Sequence, residues 1–358
     1  MFNNSSASIN STFFRDKNGA YCGVGNNSVT AKVSKTIIYF LLFVAAFVGN
    51  AFIAIIVYKT RQMRTTTNYL IVNTSASDAV FAVVTMPLMI KFIYAGENLL
   101  VSGFLAQVIC KLVSFLQSST VSTSTLSLTL IAFDRFFAIM TPLKTIITKR
   151  LARLLIGIIW FVSFILNSPI LYANTVLTDS KTNIVYCSEI WEPLFNTKRA
   201  SKAYTVYLFV LFYLLPIATM TLLYSMIVYE LWRGNKAMEH RNKVSYKRFQ
   251  QANKKVLFMF VTVVVLFALF WLPNYIYQFN FYFGRDACAV PHFVIFVGYV
   301  FAHATSAINP FIYCIFSENY RKGFSRILRS CVNSATVMRH QKSFSTGEER
   351  RAIELNAL

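Results

Sequence analysis

Seven stretches of this sequence, at about residues 35–58, 69–95, 107–139, 153–173, 203–231, 256–282 and 292–316, are apolar over a length that crosses a bilayer. In hydrocarbon every backbone N–H and C=O must be satisfied within the segment, so each run is predicted to be an α-helix. Short links between most of them favour one antiparallel bundle without a separate soluble domain. The predicted class is therefore an all-α membrane protein with a seven-transmembrane helix bundle. Composition agrees, since 56% of the residues are hydrophobic and 16% aromatic. There is no internal repeat of the kind that marks many transporters. Pro87, Pro169, Pro216, Pro273 and Pro310 fall inside the predicted spans and imply kinks, with freed carbonyls that neighbours must satisfy.

The third run, from Cys110 to Pro142, is the unusual one. Cys110 and Arg135 lie about 37 Å apart at the helical rise, more than the roughly 30 Å of hydrocarbon. Between them Ser114, Ser118, Ser119, Thr120, Ser122, Thr123, Ser124, Thr125, Ser127 and Thr129 put hydroxyls on every face. Such a helix is expected at the centre of the bundle, where small side chains allow close approach and hydroxyls bond across to neighbours.

The formal net charge of +21 raises the question of nucleic acid. Most of the basic residues, however, lie in alternate loops: Lys59 to Arg64, Arg135 to Arg153, Arg233 to Lys255, and the C-terminal tail. By the positive-inside rule those segments are cytoplasmic and the N-terminus is outside. No soluble basic domain exists to bind nucleic acid. Asn3, Asn4, Asn10 and Asn26 each begin an Asn-x-Ser/Thr sequon, which fits a glycosylated extracellular tail over residues 1–34. No cleavable signal peptide is apparent, so export falls to the first helix. The bundle is expected over 35–316. In the segment after it, 317–331, Tyr320, Phe324, Ile327 and Leu328 form one apolar face, the pattern of an amphipathic eighth helix on the membrane surface. Cys331 follows as a candidate for palmitoylation, and residues 332–358 read as a disordered cytoplasmic tail open to phosphorylation.

One polar or aromatic signature recurs in each helix. Asn50 follows a glycine in helix one, Asp78 sits in SASDAV of helix two, Cys110 and Asp134-Arg135-Phe136 bound helix three, and Trp160 lies in helix four. Pro216 and Tyr224 mark helix five, Trp271 and Pro273 in FWLP mark helix six, and Asn309 to Tyr313 in NPFIY mark helix seven. In that order they resemble the rhodopsin-like G-protein-coupled receptors over roughly residues 35–331. The resemblance implies a plasma-membrane receptor with a heterotrimeric G protein, arrestin, receptor kinases and membrane lipids as partners. It implies a Cys110–Cys187 disulfide in an oxidising compartment. Cys22 and Cys288 are the other extracellular pair, for which a second bridge is left open. No cofactor is expected, apart from an allosteric sodium ion that the resemblance places at Asp78 with Asn50, Ser124, Ser306 and Asn309. The chemistry is consistent, because an acid inside a span is costly enough to mark a functional position; a protonated, hydrogen-bonded Asp78 is the alternative. The resemblance further makes Asp134, Arg135, Tyr224, Phe267, Trp271 and Tyr313 the activation switch and coupling surface.

Ligand classes can be narrowed by residue. Residues 292–316 contain no lysine for a retinal Schiff base, and Gln117 stands where amine receptors carry an aspartate. No nucleophile-base pair or metal cluster suggests an enzyme. The second external loop, with Glu189, Trp191 and Glu192 after Cys187, resembles that of receptors for amidated neuropeptides of the RFamide, neuropeptide Y and orexin group. Gln117, Gln278, Tyr275 and Tyr299 would suit a peptide amide and its terminal ring, and Glu97, Glu189 and Asp286 a basic residue. The alternatives are a receptor for a lipid or other small molecule and, more remotely, a seven-helix transporter or channel.

Overall fold

The computed structural model describes residues 14–15, 21–22, 28–141, 144–180, 182–237, 243–284, 290–327 and 329. Asn3, Asn4, Asn10, Asn26, Asp286, Cys288 and Cys331, and the side chain of Cys22, lie outside that description. Two short strands, β1 (Phe14–Arg15) and β2 (Tyr21–Cys22), pair ahead of the bundle. Among the described residues, seven helices are long and apolar enough to cross a membrane.

Several spans begin at a side-chain cap. Ser28 accepts the Ala31 amide at the start of α1 (Val29–Lys59), and Thr65 that of Asn68 at the start of α2 (Thr66–Ala95). α3 (Gly103–Met140) follows, and Thr148 caps α4 (Lys149–Asn167). Pro169 does not kink a continuous fourth helix. It opens the short helix α5 (Pro169–Ala173), where its missing N–H has no intrahelical role. A hairpin of β3 (Asn174–Thr178) and β4 (Val185–Glu189) follows. The fifth span is α6 (Thr197–Phe209), a π-helical turn at Val210–Leu214, and α7 (Leu215–Ala237). α8 (Lys243–Phe283) and α9 (His292–Phe316) complete the bundle. The first helix thus begins at Val29, inside the segment assigned from hydropathy to the tail.

α3 runs through the middle, with Ser119, Thr120, Ser122 to Thr125 and Ser127 all buried. Its hydroxyls behave differently from the expectation that they bond mainly across to neighbours. Those of Ser114, Thr120, Ser122, Thr125, Ser127 and Thr129 donate to carbonyls one turn back in α3 itself. The physical reason is local supply: the carbonyl four residues back lies within reach of every helical Ser or Thr. Of the α3 hydroxyls, that of Ser124 bonds across to Asp78, and further cross-helix bonds come from asparagine and tryptophan. Asn73 donates to Ser127 at 2.8 Å and accepts the Trp160 indole at 2.9 Å, joining α2, α3 and α4.

α1 is joined to α9 by a proline's consequence. Pro310 has no N–H for the Ser306 carbonyl, and the Asn50 side chain donates to that carbonyl at 2.9 Å. The helices come close because residue 49 is glycine: a Cβ there would stand 2.9 Å from Pro310 Cγ. After α9, residues 318–327 form a further helix, α10, whose Tyr320 is buried and donates to Asn68 at 3.1 Å. Phe324 meets Phe52 edge-on at 5.3 Å, so Tyr320, Phe324 and Ile327 of the predicted apolar face pack against the end of the bundle, and Leu328 lies outside the described residues. Gly49→Val should force α1 and α9 apart at a cost of about 1–3 kcal/mol. A clear drop in the melting temperature of the detergent-solubilised protein is the expected outcome, and an unchanged value would mean that the contact relaxes freely.

Candidate functional site

The Cys110 end of the bundle is organised by the β3–β4 hairpin. Val176 faces Cys187 across the strands, and Cys187 is disulfide-bonded to Cys110 of α3. The side chain of Gln107 accepts the Val176 amide at 3.1 Å, a second tie between hairpin and helix. Glu189, two residues beyond the disulfide, is therefore held in place. One carboxylate oxygen accepts the Trp191 indole N–H at 2.6 Å and the other accepts the Tyr282 hydroxyl of α8 at 2.6 Å. Trp191 itself is only 6% exposed, between Tyr172 and Tyr204, so it offers a ligand little surface and instead orients Glu189. Glu192 accepts the Thr197 amide at 2.9 Å and the Thr197 hydroxyl, which hold its carboxyl below the usual carboxylate range. Glu97 is partly buried in the turn after α2.

Gln117, Tyr275, Gln278 and Tyr299 are brought together, deeper in the bundle, around one cavity of about 160 Å³. Asn167, Asn274 and His303 line it as well, and sequence reasoning missed all three. The Oδ1 atoms of Asn167 and Asn274 and Nδ1 of His303 are buried with no hydrogen-bond partner. A rule that weighs only charged residues inside spans overlooks amides and a neutral imidazole, although a buried polar atom left unpaired costs about 1–3 kcal/mol. Trp271 forms part of the cavity wall and also of a smaller pocket beyond it. Its ring lies 6.1 Å from both Phe267 and Tyr275, and Tyr275 lies 4.7 Å from Tyr213 on the π-helical turn.

The smaller pocket has room of about 20 Å³, the scale of one water molecule or small ion, and contains Asp78. Asp78 Oδ1 accepts the hydroxyls of Ser124 at 3.1 Å and Ser306 at 3.2 Å, and Oδ2 accepts the Asn309 amide at 2.8 Å. All these partners are neutral. A carboxylate with hydroxyl oxygens beside it is the donor set a hard cation prefers, and a small cation would offset the cost of a charged Asp78. The residues present therefore fit a sodium ion. The Asn50 amide nitrogen donates to the Ala46 and Ser306 carbonyls and not to Asp78, while its Oδ1 is buried with no hydrogen-bond partner. Among the described residues no three His, Cys, Asp or Glu converge as a metal cluster.

At the other end of α3, Arg135 donates to Asp134 Oδ2 through Nε at 3.2 Å and through its terminal nitrogen at 2.6 Å. Thr67 of α2, another residue missed from sequence, donates to the same oxygen at 2.6 Å and accepts from Arg135. Tyr224 and Tyr313 are buried in the core around this end, and the Tyr313 hydroxyl has no partner.

Residues 49–313 match the family described as 7 transmembrane receptor (rhodopsin family). The chain belongs to this family. Among curated relatives it is 34% identical to a QRFP-like peptide receptor of Branchiostoma floridae, over 85% of this chain and 79% of that one. It is 28% identical to neuropeptide FF receptor 1 of Homo sapiens, over 86% and 73% of the two chains. To the substance-P receptor of Mus musculus it is 29% identical, over 82% and 70%. A receptor of this family that holds sodium at Asp78 should be thermally stabilised by it through mass action. Raising sodium against potassium at fixed ionic strength should therefore raise the melting temperature of the wild type and leave Asp78→Asn unmoved. An equal response in both would remove Asp78 from the site.

Proposed function

We propose that this receptor binds an extracellular peptide with an amidated C-terminus and, once occupied, activates a heterotrimeric G protein. The reading places it in the plasma membrane, with the Cys110 end and the N-terminus outside and the Arg135 end in the cytoplasm. The observation that carries it is the cavity, whose wall brings together the side-chain amides of Gln117 and Gln278, each with an acceptor oxygen. A primary carboxamide brings two N–H donors for such acceptors, together with a carbonyl for a side-chain N–H. A free carboxylate would set its charge against carbonyl oxygens. Tyr275 and Tyr299 give the adjoining terminal ring an aromatic wall. The three relatives, each named as a receptor for a peptide, support the same ligand class.

Glu189, at the end of the hairpin on the Cys110 side, has both oxygens aimed by neutral donors, which leaves its charge for a basic residue of the peptide. Arg135 serves the other side. Clasped by Asp134 and Thr67 at rest, it moves towards Tyr224, Tyr313 and the G protein on activation, with Trp271 and Phe267 relaying occupancy of the cavity. Sodium at Asp78 belongs to the resting arrangement, so agonist and sodium oppose each other. Arrestin and receptor kinases act on the same cytoplasmic face and tail, and membrane lipids surround the bundle.

The deciding experiment is agonist-dependent nucleotide exchange on a G protein with a library of amidated peptides and their free-acid twins. Activation by amidated members alone is the expected outcome; activation by the acids equally well, or by neither set, would end the amide reading. Arg135→Ala should abolish exchange while surface expression and antagonist binding persist, because Arg135 and Gln117 are separated by about 27 Å of helix. Loss of all three together would make Arg135 structural.

Glu189→Gln should cost an Arg-containing agonist about 2–4 kcal/mol of binding, with little further loss for a citrulline analogue that is already weak on the wild type. A double-mutant cycle without coupling would transfer the role to Glu97 or Asp286.

A further inference from the structure

α10 has two unlike faces. Tyr320, Phe324 and Ile327 pack towards the bundle, whereas Glu318, Arg321, Lys322, Ser325, Arg326 and Arg329 are all exposed. At the helical pitch Ser325 stands about 40° round the axis from both Arg321 and Arg329 and about 60° from Lys322, so it lies among the basic residues of the exposed face. Among the described residues it is the one hydroxyl there. Along the chain, Arg321 and Lys322 precede it by four and three residues, and Arg326 follows it directly. Lys322 meets Glu318 at 2.7 Å, but both side chains are largely in solvent, where such a pair is weak.

We propose that Ser325 is a phosphorylation site for a basophilic serine/threonine kinase. This rests on the reading that the Arg135 end is cytoplasmic, where ATP is the phosphoryl donor. Ser325 Oγ attacks the γ-phosphorus, the bond from that phosphorus to the β–γ bridging oxygen breaks, ADP leaves, and the hydroxyl proton passes to the kinase's catalytic aspartate. Such kinases select their substrates by charge, which the basic residues before and after Ser325 supply. A kinase takes its substrate extended, so the last turn of α10 has to open. A helix this short is marginal on its own. Gly323 weakens it further and is fixed by packing, because a Cβ there would stand 2.6 Å from Ile56 Cγ2. Tyr320, buried and bonded to Asn68, holds the first turn in place meanwhile. The product carries a charge of about −1.5 to −2 beside Arg321, Lys322 and Arg329, whose N–H groups suit its oxygens. The exposed face has four basic residues and one acidic, so the phosphate cancels about half or more of its net charge.

The test uses purified full-length receptor in detergent with ATP and the catalytic fragment of protein kinase C, so its outcome does not depend on which side of a membrane α10 faces. Fragment mass spectrometry should place phosphate on Ser325, and Ser325→Ala should remove it with a melting temperature close to the wild type. Arg321→Gln combined with Lys322→Gln should slow phosphorylation of Ser325 several-fold and leave that of Ser343 and Ser345 unchanged, a contrast that general misfolding would not give. In intact cells a phorbol ester should bring phosphate to the same residue. Phosphate on the purified receptor with none in cells would overturn the cytoplasmic placement and with it the site's use. No phosphate on Ser325 of the purified receptor, phosphate there only after heat denaturation, or an equal rate in the double variant would overturn the proposal itself.

Discussion

The buried Asp78 carboxylate is the interaction on which the arrangement of this bundle depends. An acid within a membrane span is tolerated only where neighbours supply hydrogen bonds or counter-charge, and here Ser124 of α3 and Ser306 and Asn309 of α9 converge on it. That requirement draws three spans together at mid-depth. The Asn50 amide then fastens α1 to the same turn of α9 through the carbonyl that Pro310 leaves free. A proline and an acid, each unfavourable alone inside a membrane, thus become complementary parts of one polar core. The neighbouring Trp271 lines both this core's pocket and the larger cavity.

The two ends of α3 are built on opposite principles. At the Cys110 end a covalent link fixes the hairpin, and hydrogen bonds from Trp191 and Tyr282 set the direction of Glu189. The outcome is a pre-oriented charge, and pre-orientation reduces the ordering cost of binding. At the Arg135 end the clasp is noncovalent and rests on one shared oxygen of Asp134. Such a contact can be exchanged for another, as a switch requires, whereas the disulfide cannot.

Between these ends the helices are not uniformly packed. The π-helical turn at Val210–Leu214 puts Tyr213 towards the ring stack of Phe267, Trp271 and Tyr275. Beyond that stack, α7 and α8 part to leave a groove lined by Tyr229 and Val265.

The sequence by itself determined the seven spans, the amphipathic helix after them, and Asp78 and the Asp134–Arg135 pair as the chemically unusual residues in or beside those spans. Hydropathy over some twenty residues is a local property, and so is the rarity of an acid or an Asp-Arg pair in or beside such a run. It also singled out Gln117, Tyr275, Gln278 and Tyr299, which meet at one cavity. Tertiary structure alone decided how polar groups are shared out. Asn50 serves a proline-freed carbonyl and not the carboxylate, Trp191 supports Glu189 from a buried position, and the hydroxyls of α3 mostly turn back on their own helix. Asn167, Asn274, His303 and Thr67 were not legible as site residues. The physical reason is that a neutral polar side chain inside an apolar run looks the same in sequence whether a neighbour satisfies it or not. Which of these occurs depends on helices hundreds of residues apart coming within about 3 Å, the reach of a hydrogen bond.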